Sequence, residues 1–176
     1  MEFVYLYRRL TMTDVNKQLE AIIKIGIKTE IEGQHFYSTL AQQIKNSDAR
    51  KKIEMLAMDE VNHERTLRAL YKKFVGTEVT DLPSEGLAIF KNAFGDAPLA
   101  EADKFRLIEL AMEAERLTAK HYKDGEVKAG DAQIRQVFAE LTAEEDGHYN
   151  MLAAEREALR GNISWFDYEG SSMMEE

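Results

Sequence analysis

A glutamate and a histidine interrupt an apolar helical pattern in the segment "MLAMDEVNHERTL", residues 55–67. Glu60 and His63 stand where the spacing of Leu56 and Leu67 predicts apolar side chains. Because residues three apart on a helix lie on the same face, this carboxylate and this imidazole can bind one metal ion together. The segment therefore raises the hypothesis of a metal site inside a helix bundle.

The arrangement recurs 85 positions later, in "ELTAEEDGHYNML" at residues 140–152. The same offset relates "EIEGQHFY" (30–37) to "ERLTAKHY" (115–122). The matched pairs are chemically specific: Glu60 with Glu145, His63 with His148, Glu30 with Glu115, and Tyr37 with Tyr122. A single offset that relates two pairs of segments predicts the duplication of a helical hairpin.

Each of the four glutamates falls in the apolar seam of its segment; in the first, Ile23, Glu30 and Tyr37 are seven residues apart. Burying an unpaired carboxylate is costly, and no basic residue on these faces could neutralise four of them. Two divalent cations would balance the charge, and carboxylates with imidazoles favour iron, manganese or zinc over copper or magnesium. The predicted ligands are Glu30, Glu60, His63, Glu115, Glu145 and His148. The alternative is a buried polar network without metal.

Four segments with helical periodicity must position these residues. They span about residues 14–45, from a cap at Ser47 to Gly76, about 101–123, and from a cap at Asp131 onward. The stretch 76–100 holds both prolines and is predicted to be a crossover with a short helix at 84–94. We therefore predict an all-α four-helix bundle built from two antiparallel hairpins. It would occupy residues 14–160, between an N-terminal extension (1–13) and a tail (161–176) in which Trp165 and Phe166 pack on the bundle or a partner.

Composition narrows the function further. The 176 residues carry a formal net charge of −9, so no basic stripe is available to bind nucleic acid. The absence of cysteine excludes disulfides and thiolate metal sites. No run approaches the ~20 apolar residues of a membrane span, and the N-terminal segment does not fit a signal peptide. We expect a cytoplasmic homodimer that does not bind membranes, whose biological start could be Met12.

One glutamate from each of two helices and Glu-x-x-His from each of the other two resembles the ferritin-like di-iron carboxylate proteins. The six-residue gap between each first glutamate and its tyrosine, followed by "STLA" after Tyr37, resembles the rubrerythrin branch in particular. The resemblance covers most of residues 20–155. It implies these ligand sets: Glu30, Glu60 and His63 for one iron, and Glu115, Glu145 and His148 for the other. It also implies that Glu60 and Glu145 bridge the metals, and that Tyr37 and Tyr122 donate hydrogen bonds to ligand carboxylates. Otherwise, the two tyrosines would be ordinary core residues.

Two departures from the rubrerythrin pattern bear on function. Rubrerythrins usually carry a C-terminal four-cysteine rubredoxin domain, whereas this chain has no cysteine, so we expect electrons to come from a separate protein. Rubrerythrins also have an extra glutamate one turn after the third-helix ligand, where this chain has Thr118. That difference argues against efficient peroxidase activity and leaves a ferroxidase or oxidase reaction open.

Other charged residues near the seam are expected not to be ligands. Glu32 and His35 form a third Glu-x-x-His, but Glu32 lies about 200° around the helix from Glu30 and should be solvated. His121 matches Phe36 in the repeat, so we expect it beside the site or at the surface. Three acids next to ligand positions are assigned to the solvated surface: Glu113, Glu144 and Asp59.

The residues and the resemblance together predict a protein with two Fe ions, Mn or Zn being possible, that reacts with O₂ or hydrogen peroxide. It would act as an oxidase, ferroxidase or peroxidase in oxidative-stress defence or iron handling. The glutamates would act through the metals. The alternatives are a non-catalytic iron-binding protein and a structural dimetal bundle, because the same ligands would serve all three.

Overall fold

Four long α-helices form the protein in a computed structural model that describes residues 12–90 and 104–160. They are α1 (Met12–Gln43), α2 (Ser47–Val75), α3 (Lys104–Lys128) and α4 (Ala132–Arg160). Helix α1 packs mainly on α2 and α3 mainly on α4, while weaker contacts join α1 to α3 and α2 to α4. The prediction of an all-α four-helix bundle is confirmed.

Some predicted features lie outside the described residues. They are the extension up to residue 11, the crossover beyond residue 90 with Pro98, and the tail with Trp165 and Phe166. Within the described part of the crossover, residues 89 and 90 are helical, inside the short helix predicted at 84–94. Across residues 12–90 and 104–160, no helix is both long enough and apolar enough to cross a membrane.

Asparagine and aspartate side chains begin the second and fourth helices. The cap of α2 is Asn46 rather than Ser47, because the Asn46 side-chain oxygen accepts hydrogen bonds from the backbone N–H groups of residues 48 and 49 at 3.0 and 2.9 Å. The prediction that Ser47 is the cap was therefore wrong by one residue. Asp131 caps α4 as predicted, accepting from the N–H groups of residues 133 and 134. Gly76 ends α2 at a positive φ of 89°, which favours glycine.

The third helix runs five residues past its predicted end, to Lys128. Gly125 lies within this extension and would ordinarily weaken a helix. Here it makes room for Phe138 of α4, since a Cβ at residue 125 would lie 2.8 Å from the phenylalanine ring. Close packing between the two helices therefore carries α3 past the glycine.

The interior consists of two apolar clusters separated by a polar layer. One cluster includes Phe36, Leu40 and Ile53, and the other includes Ile27, Leu67 and Phe138. In every helix the predicted ligands lie between the segments that supply these two clusters. The polar layer thus lies within the bundle, where large apolar side chains on both sides exclude water.

The crossover is fixed to the outer side of α1 close to this layer. The backbone N–H of Leu87 donates to the Thr29 hydroxyl at 2.9 Å, and that of Gly86 donates to a Glu32 carboxylate oxygen at 3.2 Å. A Cβ at residue 86 would lie 2.6 Å from the backbone nitrogen of Thr29. Only glycine therefore permits this close approach.

We predict that Gly86→Ala destabilises the protein by about 1–3 kcal/mol, because the added methyl group forces the crossover away from the α1 backbone. Thermal unfolding of the variant and the unmodified protein measures this. Gly130→Ala is the matched control, since a Cβ there meets no atom within 4 Å. Equal losses of stability in the two variants would show that the contact with Thr29 is unimportant.

Candidate metal centre

The six predicted ligands meet in the polar layer. Each of the four helices contributes one glutamate, and α2 and α4 each add a histidine one turn later. The four glutamates and His63 are buried, with Glu145 fully inaccessible to solvent, and His148 is partly buried. The structure thus brings all six predicted residues together, and their role as metal ligands remains a prediction.

The donor atoms form two overlapping groups. One group is Glu30, Glu60, His63 and Glu145, and the other is Glu60, Glu115, Glu145 and His148. Within each group, the ligand atoms all lie within 4.8 Å of one another. Glu60 and Glu145 belong to both, which is the arrangement expected of carboxylates that bridge two metal ions.

Two buried atoms at the centre of the layer have no hydrogen-bond partner: Nδ1 of His63 and Oε1 of Glu145. They lie 3.1 Å apart, yet they do not form a hydrogen bond. Unsatisfied buried polar atoms are rare because each costs about 1–3 kcal/mol. A cation bound by both atoms would satisfy them, so the donor set fits a metal.

The histidines direct the same ring nitrogen towards the carboxylates. Nδ1 of His63 lies 3.1–3.6 Å from oxygens of three seam glutamates, and Nδ1 of His148 lies 3.2 and 3.5 Å from oxygens of Glu145 and Glu115. The two rings stack with centroids 5.6 Å apart. Nδ1 is therefore the nitrogen positioned to bind a metal, and Nε2 faces the outer side of the layer.

Two acids expected to be plain surface residues contact those outer nitrogens. Glu144 lies 2.7 Å from Nε2 of His63, and Asp59 lies 3.4 Å from Nε2 of His148. The assignment of both to the solvated surface was thus incomplete, although each side chain is substantially exposed. A carboxylate at Nε2 favours a proton there and leaves the Nδ1 lone pair available to a metal.

A signal for these two acids is present in the sequence. Each immediately precedes a seam glutamate, and the two positions are related by the 85-residue offset. Glu144 on α4 contacts His63 on α2, and Asp59 on α2 contacts His148 on α4, so both pairs join the two helices. Helical-face reasoning missed them because it considered each helix alone.

The two seam tyrosines also act across the bundle. The Tyr37 hydroxyl on α1 donates a hydrogen bond to Glu115 on α3, and the Tyr122 hydroxyl on α3 donates to Glu30 on α1. Both rings are fully buried. Burial, and then the charge of Glu115, raise the pKa of Tyr37 well above its usual range, so its hydroxyl keeps the proton that it donates. Each tyrosine thus satisfies one carboxylate oxygen and restricts its orientation.

Other charged residues lie away from the two donor groups. Glu32 of the third Glu-x-x-His pairs with Lys28 at 3.3 Å and also accepts the crossover hydrogen bond, so it is only partly solvated. His121 donates from Nε2 to the backbone oxygen of Ile22 at 2.8 Å. Glu113 forms an exposed ion pair with Arg116, as expected for a surface residue.

Burial and mutual repulsion dominate the electrostatics of the metal-free site. Burial, followed by the charge of Glu60, raises the pKa of Glu30 well above its usual range. Burial, followed by Glu145, raises the pKa of Glu115 to about 8. Burial alone would lower the pKa of His148, but the carboxylates of Glu115 and Glu145 outweigh it and raise that pKa to about 10. Without metal, the layer therefore retains protons that exposed groups would release.

We predict that the metal-free protein loses stability as pH rises from 5 to 8. A raised folded pKa contributes stability that is complete below the unfolded pKa, ~4.3 for a glutamate and ~6.5 for a histidine. That stability is lost as pH climbs towards about 8 for Glu115 and about 10 for His148. Metal binds the deprotonated donors, so the loaded protein should resist the loss and melt higher, by on the order of 5 °C. Thermal melts of metal-free and loaded protein test this, and superimposable curves at every pH would contradict a buried metal site.

We also predict that Glu144→Ala weakens metal affinity by roughly 10–100-fold, because His63 loses the partner that fixes its tautomer. Asp59→Ala should weaken affinity less, since Asp59 lies farther from its histidine. Competition titration of Co(II) against a coloured chelator measures both effects. Glu113→Ala, which removes an exposed acid of α3, is the control, and equal affinities for all three variants would refute the role of Glu144 and Asp59.

Comparison with known proteins assigns this geometry to a family. The rubrerythrin family model matches residues 2–71 and 21–156. The fold is similar to that of a hypothetical protein from Pyrococcus furiosus, with 30% identity, a TM-score of 0.70 and coverage of 84% of this chain and 93% of that one. It is also similar to a bacterioferritin from Desulfovibrio desulfuricans described with a diiron site, with 14% identity, a TM-score of 0.68 and coverage of 86% and 85%.

The similarity to the bacterioferritin, at 14% identity, is evidence for the fold alone. No curated protein matches the sequence. The family model, by contrast, extends over most of the chain and includes all four helices with their six donor residues. The chain therefore belongs to the rubrerythrin family.

Proposed function

We propose that this chain is a di-iron carboxylate protein that reacts with O₂ or hydrogen peroxide, with electrons supplied by a separate partner. The observation that carries the proposal is the sharing of Glu60 and Glu145 between two donor groups. Such sharing is expected of a centre for two cations rather than one. Membership of the rubrerythrin family supports iron, although manganese or zinc would suit the same donors.

Two bound iron ions would supply the capacity to transfer electrons to an oxidant. The residues of the chain hold this chemistry in place. Tyr37 and Tyr122 restrain the carboxylates of Glu115 and Glu30. Glu144 and Asp59 contact Nε2 of the two histidines and keep each Nδ1 directed inwards. The apolar clusters on either side keep bulk water from the charged layer.

The composition of these residues supports a separate electron donor. These 176 residues contain no cysteine and so cannot form a four-cysteine iron site. The layer also lacks the acid that rubrerythrins carry at the position of Thr118, whose hydroxyl here donates to the backbone oxygen of Ala114 at 3.0 Å. This favours an oxidase or ferroxidase role, in oxidative-stress defence or iron handling, over efficient peroxide turnover.

We also infer that the two hairpins arose by duplication. The helix caps Asn46 and Asp131 are related by the 85-residue offset. The same offset relates Arg50 and Arg135, whose side chains donate to backbone oxygens at the matching positions 44 and 129. The hydrogen bonds from Tyr37 to Glu115 and from Tyr122 to Glu30 are also related to each other by this offset. A cytoplasmic location and a homodimer remain predictions from the sequence.

We predict that anaerobic reconstitution loads about two Fe(II) ions per chain, as charge balance among four carboxylates requires. Glu60→Ala and Glu145→Ala should each abolish binding of both ions, since each residue belongs to both donor groups. Elemental analysis measures the stoichiometry. Glu32→Ala is the matched control, because Glu32 contacts Lys28 and the crossover and should leave loading unchanged. At most one ion in the unmodified protein, or loss of iron in the control alone, would refute the assignment.

Exposure of the loaded protein to O₂ or hydrogen peroxide separates the proposal from its rivals. A rapid change in visible absorption, reversed by a reductant and repeatable over several cycles, is the expected outcome. Stable loading with no spectral change would identify an iron-binding protein without redox activity. The same absence of a spectral change, together with metal that a chelator removes only when the protein unfolds, would instead identify a structural dimetal bundle.

A further inference from the structure

A narrow gap borders the carboxylates on the side formed by α1 and α3. Small side chains from the two helices line it, namely Thr29, Gly33, Ala114 and Thr118. Glu30, Glu60 and Glu115 border the same space. No part of the gap is wide enough for a water-sized sphere. Small molecules therefore reach these carboxylates from this side only if a bordering side chain moves.

Among the residues that the structure describes, Phe90 is the one that lines both this gap and a neighbouring surface cleft. It borders the gap on one side and an open cleft of about 390 Å³ on the other. The cleft is lined by α1 and by the crossover, with Lys28, His35 and Leu87 among its residues. Phe90 is 4% exposed, and its ring lies 5.7 Å from that of Phe36. The ring thus separates the solvent cleft from the charged layer.

The cleft accounts for the third Glu-x-x-His of the sequence. Glu32 and His35 line its polar part, while Ile31 and Leu87 line its apolar part. Glu32 also accepts the hydrogen bond from Gly86 that holds the crossover on α1. This motif therefore shapes the approach to the layer from outside and takes no part in the two donor groups.

The chemistry of the gap restricts what can pass. Apart from the three donor glutamates, whose charge two bound cations would balance, the gap offers an anion no partner. No side chain among those lining the gap is cationic. Apart from the glutamates, the lining beyond Phe90 is a glycine, an alanine and two threonines, and its narrowness suits only very small molecules. Small uncharged oxidants meet both conditions.

We propose that Phe90 controls access from the cleft to the metal centre, admitting small uncharged oxidants such as O₂ and hydrogen peroxide and excluding bulky hydroperoxides. This inference rests on the proposed di-iron function. The ring must rotate or shift with the crossover for a molecule to enter, so its size sets the rate of passage. The crossover, held by Thr29 and Glu32, keeps the ring in place between such movements.

The test uses nitric oxide, a small uncharged probe whose binding requires no turnover. Anaerobic Fe(II)-loaded protein is mixed with nitric oxide, and the rate of the visible spectral change is followed by stopped-flow. Phe90→Ala should accelerate this change by roughly tenfold, and Phe90→Trp should slow it, because the barrier to passage falls or rises with ring size. Phe138→Leu is the control, since Phe138 is fully buried and lines neither the gap nor the cleft.

A second readout tests selectivity by size. The ratio of the initial rate with cumene hydroperoxide to that with hydrogen peroxide should rise in Phe90→Ala and stay unchanged in Phe138→Leu. Nitric oxide rates that do not respond to residue 90, or that rise equally in the control, would overturn the role of Phe90 while leaving the di-iron function intact. Failure of the unmodified protein to load iron would overturn the proposed function and this inference together. If iron loads and the nitric oxide rates depend on residue 90, but neither oxidant reacts, the redox function is refuted. The control of access by Phe90 is then still supported.

Discussion

The repulsion among four carboxylates buried in one layer is the constraint on which the rest of the structure depends. Two apolar clusters surround the layer, so water cannot screen the charges, and proton retention or bound cations must offset them. Burial and mutual repulsion raise the pKa values of Glu30 and Glu115 in the absence of metal, so these carboxyl groups retain protons. The unsatisfied atoms of His63 and Glu145 mark a place where a bound cation would complete the pairing. The fold is thus arranged around a charge that it does not itself neutralise.

The layer is held by contacts that cross between helices. A tyrosine of α1 binds the glutamate of α3, and the matching tyrosine of α3 binds the glutamate of α1. The acids of α2 and α4 contact each other's histidines in the same manner. Because no helix completes its own share of the site, the donor geometry exists only once all four helices have packed. Such reciprocity favours a cooperative assembly in which donor positions are fixed together.

The residues of the centre could be predicted from the sequence because they violate a periodic pattern. A glutamate in a heptad seam, such as Glu60, stands out when Ile53 and Leu67 flank it seven residues away. Contacts between helices could not be predicted in this way. Glu144 lies off the seam of its own helix, and only the position of His63 on another helix gives it a partner.

Local features likewise divide into those that the sequence predicts and those that depend on tertiary packing. Asp131 was predictable as a cap, whereas Asn46 and Ser47 are both good capping residues and only the backbone geometry distinguishes them. The continuation of α3 through Gly125 required knowledge of where Phe138 packs. Glu32 faces outwards as its helical position predicts, but the crossover that covers it follows no periodic pattern. Sequence periodicity thus identified what faces inwards, and tertiary packing decided what covers the outside.

The two-fold pattern of the site breaks down where the crossover packs. Thr29 accepts the hydrogen bond from Leu87, whereas its counterpart in the second half is Ala114, which has no hydroxyl. Gly33 lies so close to the Glu60 carboxylate that a Cβ would approach it to 3.3 Å, while its counterpart is the larger Thr118. The donors are matched between the two halves, whereas the proposed reaction would need one side from which an oxidant approaches. The departures from symmetry at Thr29 and Gly33 lie beside the gap that Phe90 borders, so the crossover gives the two halves of a symmetrical donor set different surroundings.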